Sequence, residues 1–539
     1  MSLTNPPTRF PTFRFLFSWL FLRVLIFLFV CLATLLGLFY GEENFRGKQA
    51  WKTYARTQAA KGEKLSFAEF IPPPVPAEQN LALCPLLKPI LDMEFRTVTE
   101  GGITRQVVAA KLWTDTNRMN RIQRLDRTQG VDDKLRAPVS NFPLTNGWAN
   151  LELWQAAFRA GTNLIGAPEG NSPARDVLWA LRRVAPDLAE LQQEANRRPL
   201  SRWPIFYDTN LPWGILLPHL AMGGKRIVSL LQLRAVACLA AGETEAGLAD
   251  IKLGVRMAES FRDEPFIISQ LVRRACLDLI LQPVKEGLAR HQFSDAQLAE
   301  LQKKLLPIDL LAGYQHSVRA ERSTLAEFDR YAKELPDIGN SFDSPDSGAA
   351  AALLRFAPSG WIYQNQLQIC RICDQFLLPA VDLQTRRAHP EIVTSGTEAI
   401  QQMSGPFSIL PKLILPAQAS VARKLAYGQT QIDEAHIACA LERFRLLQGS
   451  YPETLDGLAP RFMEKIPQDI ISGQSLKYRR TDDGQYILYS VGWDEKDDNG
   501  LEIAAKGRAS DFETGDWVWR LPVKPEPREQ PKPTTDGHG

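Results

Sequence analysis

The chain of 539 residues lacks a dominant charge: 63 Lys and Arg against 61 Asp and Glu leave a net +2. So even a balance supplies no long-range field for a polyanion. The basic pairs Arg273-Arg274, Arg386-Arg387 and Arg479-Arg480 are isolated and have acidic residues close in sequence, so no nucleic-acid partner is expected. Cysteine is sparse, seven in all, which excludes a disulfide scaffold. Cys370-Arg371-Ile372-Cys373 has redox or zinc spacing, but no second pair lies nearby and the flanking QNQLQICRICDQFLL is helical, so both cysteines read as core. Six histidines (His219, His291, His316, His389, His436 and His538) form no HExxH or other metal spacing. No Gly-x-Ser-x-Gly elbow or Walker loop occurs, and Gly223-Gly224-Lys225 lacks both the earlier glycine and the following Ser or Thr. His316 and Glu321 are too weakly paired to argue a base, and His436, beside Ala435 and Ile437, reads as packing. No catalytic signature stands out. Asp208, His219 and Glu264 are the kind of dispersed set an enzyme could use, but they are far apart in sequence.

What the sequence does have is one long apolar run. From Phe15 to Tyr40 (FLFSWLFLRVLIFLFVCLATLLGLFY) the only charge is Arg23, and Val24–Tyr40 is an unbroken stretch of 17 residues. At ~1.5 Å per residue it is about 26 Å of helix, close to one bilayer core. Arg23 can snorkel to the headgroups, and Trp19 and Tyr40 stand where interfacial aromatics are usual. A cleaved signal peptide is the rival, but the run is too long for an h-region and no small-x-small pair follows it. Residues 15–40 are therefore expected to hold the lipid bilayer, after a short tail at 1–14. Arg9 and Arg14 precede the span while Arg46, Lys48, Lys52 and Arg56 follow it, so the positive-inside count does not itself favour an N-in arrangement. The short tail before an N-terminal anchor is the usual signal-anchor form, and it places the bulk of the chain outside the cytoplasm, at the inner membrane of a bacterial envelope.

Beyond the span, 41–76 reads as a charged juxtamembrane helix (42–70, with Trp51 and Tyr54 on one face) closed by the proline-rich IPPPVP. A stalk helix packing on the next domain suits its mixed charges better than a lipid-binding one. Residues 77–428 are predominantly helical, as a bundle or irregular solenoid. Ile227–Ala241 is apolar nearly all round, Gly242 breaks it, and Thr244 can cap a helix to about Ser260 with a stripe at Leu248, Ile251, Val255 and Ala258. This hairpin resembles one tetratricopeptide unit, with no second copy at 34-residue spacing. Further helices cover about Pro265–Glu286, a segment opened by the capping box Ser294–Gln297, Ser317–Leu335, and Gly360 to Ala388. Turn formers mark 336–360 as a loop, and the charged, proline-rich tail at 521–539 as disordered.

The segment 429–520 is more specific. A helix over Thr430–Leu447 is stopped by Gly449 and Pro452. Two strands, Leu476–Arg480 and Gln485–Val491, flank the hairpin dipeptide Asp483-Gly484. With ALERFRLLQGSYPETLDGL, Pro467–Tyr478, YILYSVGWD at Tyr486–Asp494 and Asp516-Trp517 in that order, this module resembles the C-terminal part of major pseudopilins of type II secretion. The resemblance implies a small α+β fold; with no prepilin-peptidase glutamate inside Val24–Tyr40, it does not imply assembly into a pseudopilus. In those proteins the corresponding loop holds calcium. Here it offers Asp494, Asp497 and Asp498, with Asn499 a weaker ligand, as a candidate calcium site; a solvated acidic turn is the alternative. The whole chain also resembles a group of bacterial membrane-anchored proteins, through FIPPPVPAEQNLAL, DEPFIISQLVRRACLDLILQPVKEGL and HQFSDAQLAEL; this implies the same layout and no activity. The expectation is a mainly α protein: transmembrane helix, helical domain and pseudopilin-like module. Its role would be structural or protein-interacting in the envelope, or, alternatively, that of a membrane-anchored enzyme such as a hydrolase.

Overall fold

A computed structural model of the chain describes residues 19–100, 103–109, 113, 116–161, 164, 166–207, 215–327, 357–501 and 512–523. The expected tail at 1–14, all but 521–523 of the tail expected at 521–539, and most of the expected loop at 336–360 lie outside them; Val523 instead exchanges hydrogen bonds with Asn146 and Trp148. In chain order the helices are α1 (Trp19–Ala60), α2 (Thr116–Arg124), α3 (Asp133–Ser140), α4 (Leu151–Ala160), α5 (Pro173–Leu181), α6 (Ala185–Arg197), α7 (Ile227–Ala240) and α8 (Thr244–Ala258), followed by α9 (Ile267–Ala289), α10 (Asp295–Leu305), α11 (Leu310–Ala326), α12 (Ser359–Ile372), α13 (Pro390–Gln402) and α14 (Ile409–Gln448). Strands are short: β1 (Phe95–Glu100), β2 (Ile103–Val108), β3 (Leu144–Thr145), β4 (Trp148–Ala149), β5 (Val381–Asp382), β6 (Arg387–Ala388), β7 (Lys477–Arg480), β8 (Tyr486–Ser490) and β9 (Trp517–Trp519). The protein is mainly helical. It divides into two compact units, one of Met1–Leu65, Ser323–Ile372 and Ile400–Leu415, the other holding the rest.

In the first unit α1 does two jobs. Its apolar half, Val24 to Phe39, is exposed along its length, and its most apolar 18-residue window has a mean hydropathy of 2.6 with none of it buried in the protein. Among the described residues this is the one helix long and apolar enough to cross a membrane. The same helix continues without a break into the charged stretch and ends at Ala60, ten residues before the expected Phe70. Gly62, at φ +76°, turns the chain out. This second half packs on α12 through two glycines. A Cβ on Gly47 would meet the Gly360 carbonyl oxygen at 2.3 Å, and one on Gly360 would meet that of Glu43 at 1.9 Å, so any larger residue would force the helices apart. Asn44 Oδ1 accepts from Gly360 N at 2.9 Å and from Ser359 Oγ at 3.0 Å, capping the start of α12. Trp361 Nε1 donates to Glu43 Oε2 at 3.1 Å. Tyr54, Leu367, Cys370 and Ala326 form the small core, with the Trp51 ring tilted against Tyr54 at 5.4 Å.

The second unit is built around α7, buried on nearly every face, with α8 and α9 against it. Gly242 ends the α7 connection at φ +80°. Glu243 rather than Thr244 then holds the cap position, its carbonyl accepting from Gly247 N at 3.1 Å. The capping box at α10 is present, with Ser294 Oγ accepting from Gln297 N at 3.3 Å and Gln297 Oε1 accepting from Ser294 N at 2.8 Å. Two stretches depart from the helical expectation. Three two-stranded hairpins (β1–β2, β3–β4, β5–β6) interrupt 77–428, so the segment read as helix to Ala388 ends instead in β5–β6. The expected boundary at 428/429 falls inside α14, which runs unbroken through Gly428 because that glycine sits against the side chains of Arg274 and Leu310. Toward the C-terminus β7, β8 and β9 form an antiparallel sheet in that order, with Tyr478 opposite Leu488 and Leu488 opposite Trp519. Gly484, at φ +77°, makes the first turn.

Candidate functional site

Two buried histidines of the second unit offer the most chemistry. The first, His219, stands just before a π-helical turn at Leu220–Arg226, an irregularity that often marks functional positions. Its side chain is fully buried, and Nε2 lies 2.8 Å from Glu264 Oε1. Glu264 Oε2 accepts from Ser269 Oγ at 2.5 Å, so one carboxylate serves both groups. Trp203 covers the imidazole at 4.9 Å and stacks on Phe261 at 5.9 Å, its Nε1 donating to Ser260 Oγ at 3.1 Å. Gln270 Nε2 ties down the same turn through the Phe261, Arg262 and Glu264 carbonyls. Ser, Glu and His thus meet, but in the wrong order for nucleophilic catalysis. The carboxylate stands between the hydroxyl and the imidazole, so the group facing Ser269 Oγ is Glu264 and not the imidazole. Of the dispersed set named from sequence, His219 and Glu264 come together; Asp208 lies outside the described residues.

The second histidine, His436 on α14, is 8% exposed, and its ring lines a cavity of about 430 Å³. Three segments form the walls. The turn of β5–β6 carries Arg386, at φ +54°, whose Nη1 and Nη2 donate to Asp433 Oδ2 and Oδ1 at 2.8 and 2.7 Å. Arg387 Nη2 donates to the Ile471 carbonyl at 2.6 Å. The loop from Lys465 to Gly473 closes the opposite side, with Leu305 and Leu306 at the end of α10. Burial alone pushes the His436 imidazole down to about 4, so it is neutral at neutral pH.

Other ionisable groups are engaged within the protein. Arg273, Arg274, Arg479 and Arg480 engage Glu259, Asp278, the Asn499 carbonyl and Glu453 in turn. Glu442 accepts from His291 Nδ1 at 2.9 Å, from both Arg445 nitrogens and from Tyr451 Oη at 2.9 Å. Burial opposes its ionisation, and these donors outweigh burial and hold its carboxyl below the usual value. Glu321 accepts from Ile267 N at 3.0 Å and Gln418 Nε2 at 2.8 Å, while burial raises it to about 7. Cys370 and Cys373 are both buried, as expected.

In the acidic loop Asp494 accepts from Lys496 N and Gly515 N, and Asp497 from Asn499 N and Tyr489 Oη, with Lys477 Nζ 3.2 Å from its second oxygen. Asp498 and Asn499 follow in the same turn, and Asp516 binds it together by accepting from Asp498 N and Gly500 N at 3.3 and 2.6 Å. Among the described residues no three His, Cys, Asp or Glu side chains converge as a metal site; an ion here would compete with these internal donors. Asp516 was missed as the organiser of this loop, although its place beside Trp517 was legible. No family model, curated protein or solved structure matches the chain.

Proposed function

We propose that this is a single-pass membrane protein of the bacterial envelope. It is held in the inner membrane by residues 15–40, with its bulk on the extracytoplasmic side and a structural or protein-interacting role. The observation that carries the reading is the contrast within α1, whose first half offers lipid an unbroken apolar surface. Stripping that surface of lipid would leave a patch far beyond what soluble monomers expose. The rival reading, a membrane-anchored enzyme, would have to use His219 and Glu264, which are buried and bonded to each other, with Ser269 on the second Glu264 oxygen. The calcium reading of Asp494, Asp497, Asp498 and Asn499 and the pseudopilin-like module belong to the same proposal.

The test is fractionation. The full chain is expected to stay with membranes through alkaline washing, and a chain lacking residues 1–40 to leave them; intact protein in the aqueous fraction would sink the proposal. Protease protection in spheroplasts tests the orientation, and cross-linking followed by detergent purification tests for protein partners. A thermal midpoint that rises with calcium over chelator supports the ion, and an unchanged midpoint removes it.

A further inference from the structure

We infer that the cavity beside His436 binds a small organic anion, an oxyanion head on a compact apolar body. Its volume, about 430 Å³, falls within the range of small-molecule sites. What selects the sign of the ligand is the state of the polar groups around it. Both carboxylates on the wall are already consumed. Asp433 takes Arg386 in a bidentate pair and Gln429 Nε2 at 3.0 Å. Asp469 accepts from Ile471 N, Ser490 Oγ, Ser472 Oγ and Val491 N. The unspent capacity consists of donors. Lys465 is exposed at the wall and has no partner among the described residues. Arg387 uses Nη2 on the Ile471 carbonyl, and no described residue accepts from its Nη1. His436 is 8% exposed as a residue, and its ring makes no hydrogen bond among the described residues. Its nitrogens are not among the fully buried side-chain atoms left without a partner, so they are open to whatever enters the cavity. A neutral imidazole N–H beside an ammonium and a guanidinium suits an acceptor that carries negative charge.

The apolar half of the ligand has its place too. Leu306 and Leu383 are 71% and 46% exposed, and both stand on this cavity, with Ile432 deeper on the same wall. Two large aliphatic side chains held open beside three unspent donors describe an amphipathic ligand rather than a bare inorganic ion.

The experiment uses the full chain in lipid nanodiscs with three ring-sized probes: benzoate, phenyl phosphate and the neutral benzamide. Calorimetric titration at millimolar concentration is expected to show saturable binding of at least one of the two anions and none of benzamide; the stronger of the two identifies a carboxylate or a phosphate head. Lys465→Gln, at an exposed position, is expected to weaken the bound anion about tenfold, the loss of one charged hydrogen bond. Leu383→Trp, which plugs the mouth from the surface, is expected to weaken it further. Binding of neither anion, equal binding of benzamide, or anion affinity unchanged in both variants would overturn the inference. Both substitutions lie outside the core, so neither depends on the survival of a damaged fold.

Discussion

His219 and His436 occupy the same kind of place, a helical wall in the core of the second unit, and they meet opposite fates. His219 has a carboxylate at 2.8 Å on Nε2 and a tryptophan lid, and its Nδ1 is buried with no hydrogen-bond partner among the described residues. His436 has no partner among the described residues but borders a cavity. Burial alone does not distinguish a structural histidine from one that serves a ligand. Where the unsatisfied nitrogen's partner would have to come from does, and that is the difference between a locked network and an open one.

The sharpest way to break the comparison is to remove the partner of the locked histidine. Glu264→Leu takes the acceptor from both His219 and Ser269, leaving two buried polar groups stranded. A loss of about 3–5 kcal/mol is expected from equilibrium denaturation of the second unit. Trp203→Leu follows at about 3 kcal/mol, since it removes the ring that covers His219 and Phe261 and opens a void over Gly223. A loss under 1 kcal/mol in both would mean that this network is not what holds the π-helical turn.

Acid titration sharpens the contrast from the other side. The folded His436 titrates at about 4 against 6.5 when exposed, so it contributes stability above pH 6.5 that is lost as the pH falls toward 4. Glu321 has the opposite sign: raised from 4.5 to about 7, it contributes stability below 4.5 that is lost as the pH rises through 7. Each is worth about 3 kcal/mol at most, and between pH 4.5 and 6.5 they oppose one another. The wild-type chain should therefore show little slope from these groups in that window. Glu321→Gln should uncover stability that rises with pH, and His436→Leu stability that falls with it. Parallel profiles for the two variants would refute the assignment.

How much of this was legible depends on how local the signal is. The capping box at Ser294–Gln297, the break at Gly242 and the hairpin at Asp483-Gly484 were readable because each is a contract among residues a few positions apart. The β1–β2 hairpin had a legible signal that went unused: the alternating Phe95–Glu100 and Ile103–Val108 flank Gly101-Gly102. The boundary expected at 428/429 fails because the helix continues through Gly428, where the glycine marks a close approach to the Arg274 and Leu310 side chains rather than a helix end. The sites were scarcely legible at all. His219 and Glu264 are 45 residues apart, and the cavity draws His436, Arg387 and Lys465 from three separate segments, so no spacing rule links them. Of these, the sequence shows Arg387 only as half of the isolated pair Arg386-Arg387 and His436 only as a packing position.

The smallest expected effect tests the comparison most directly. At pH 7.5 the neutral His436 ring has no internal hydrogen bond to lose, so His436→Leu removes only a polar surface from a cavity wall and restores an aliphatic one of similar size. Stability should change by no more than about 0.5 kcal/mol, or rise. The equivalent substitution His219→Leu strands Glu264 Oε1 in a closed core and should cost about 2 kcal/mol or more. If the two leucine variants lose stability equally, His436 has an internal partner after all, and the division between a locked and an open histidine fails. If only His219→Leu is costly, the imidazole at 436 is held in place for something other than the fold, since the core would be at least as stable without it.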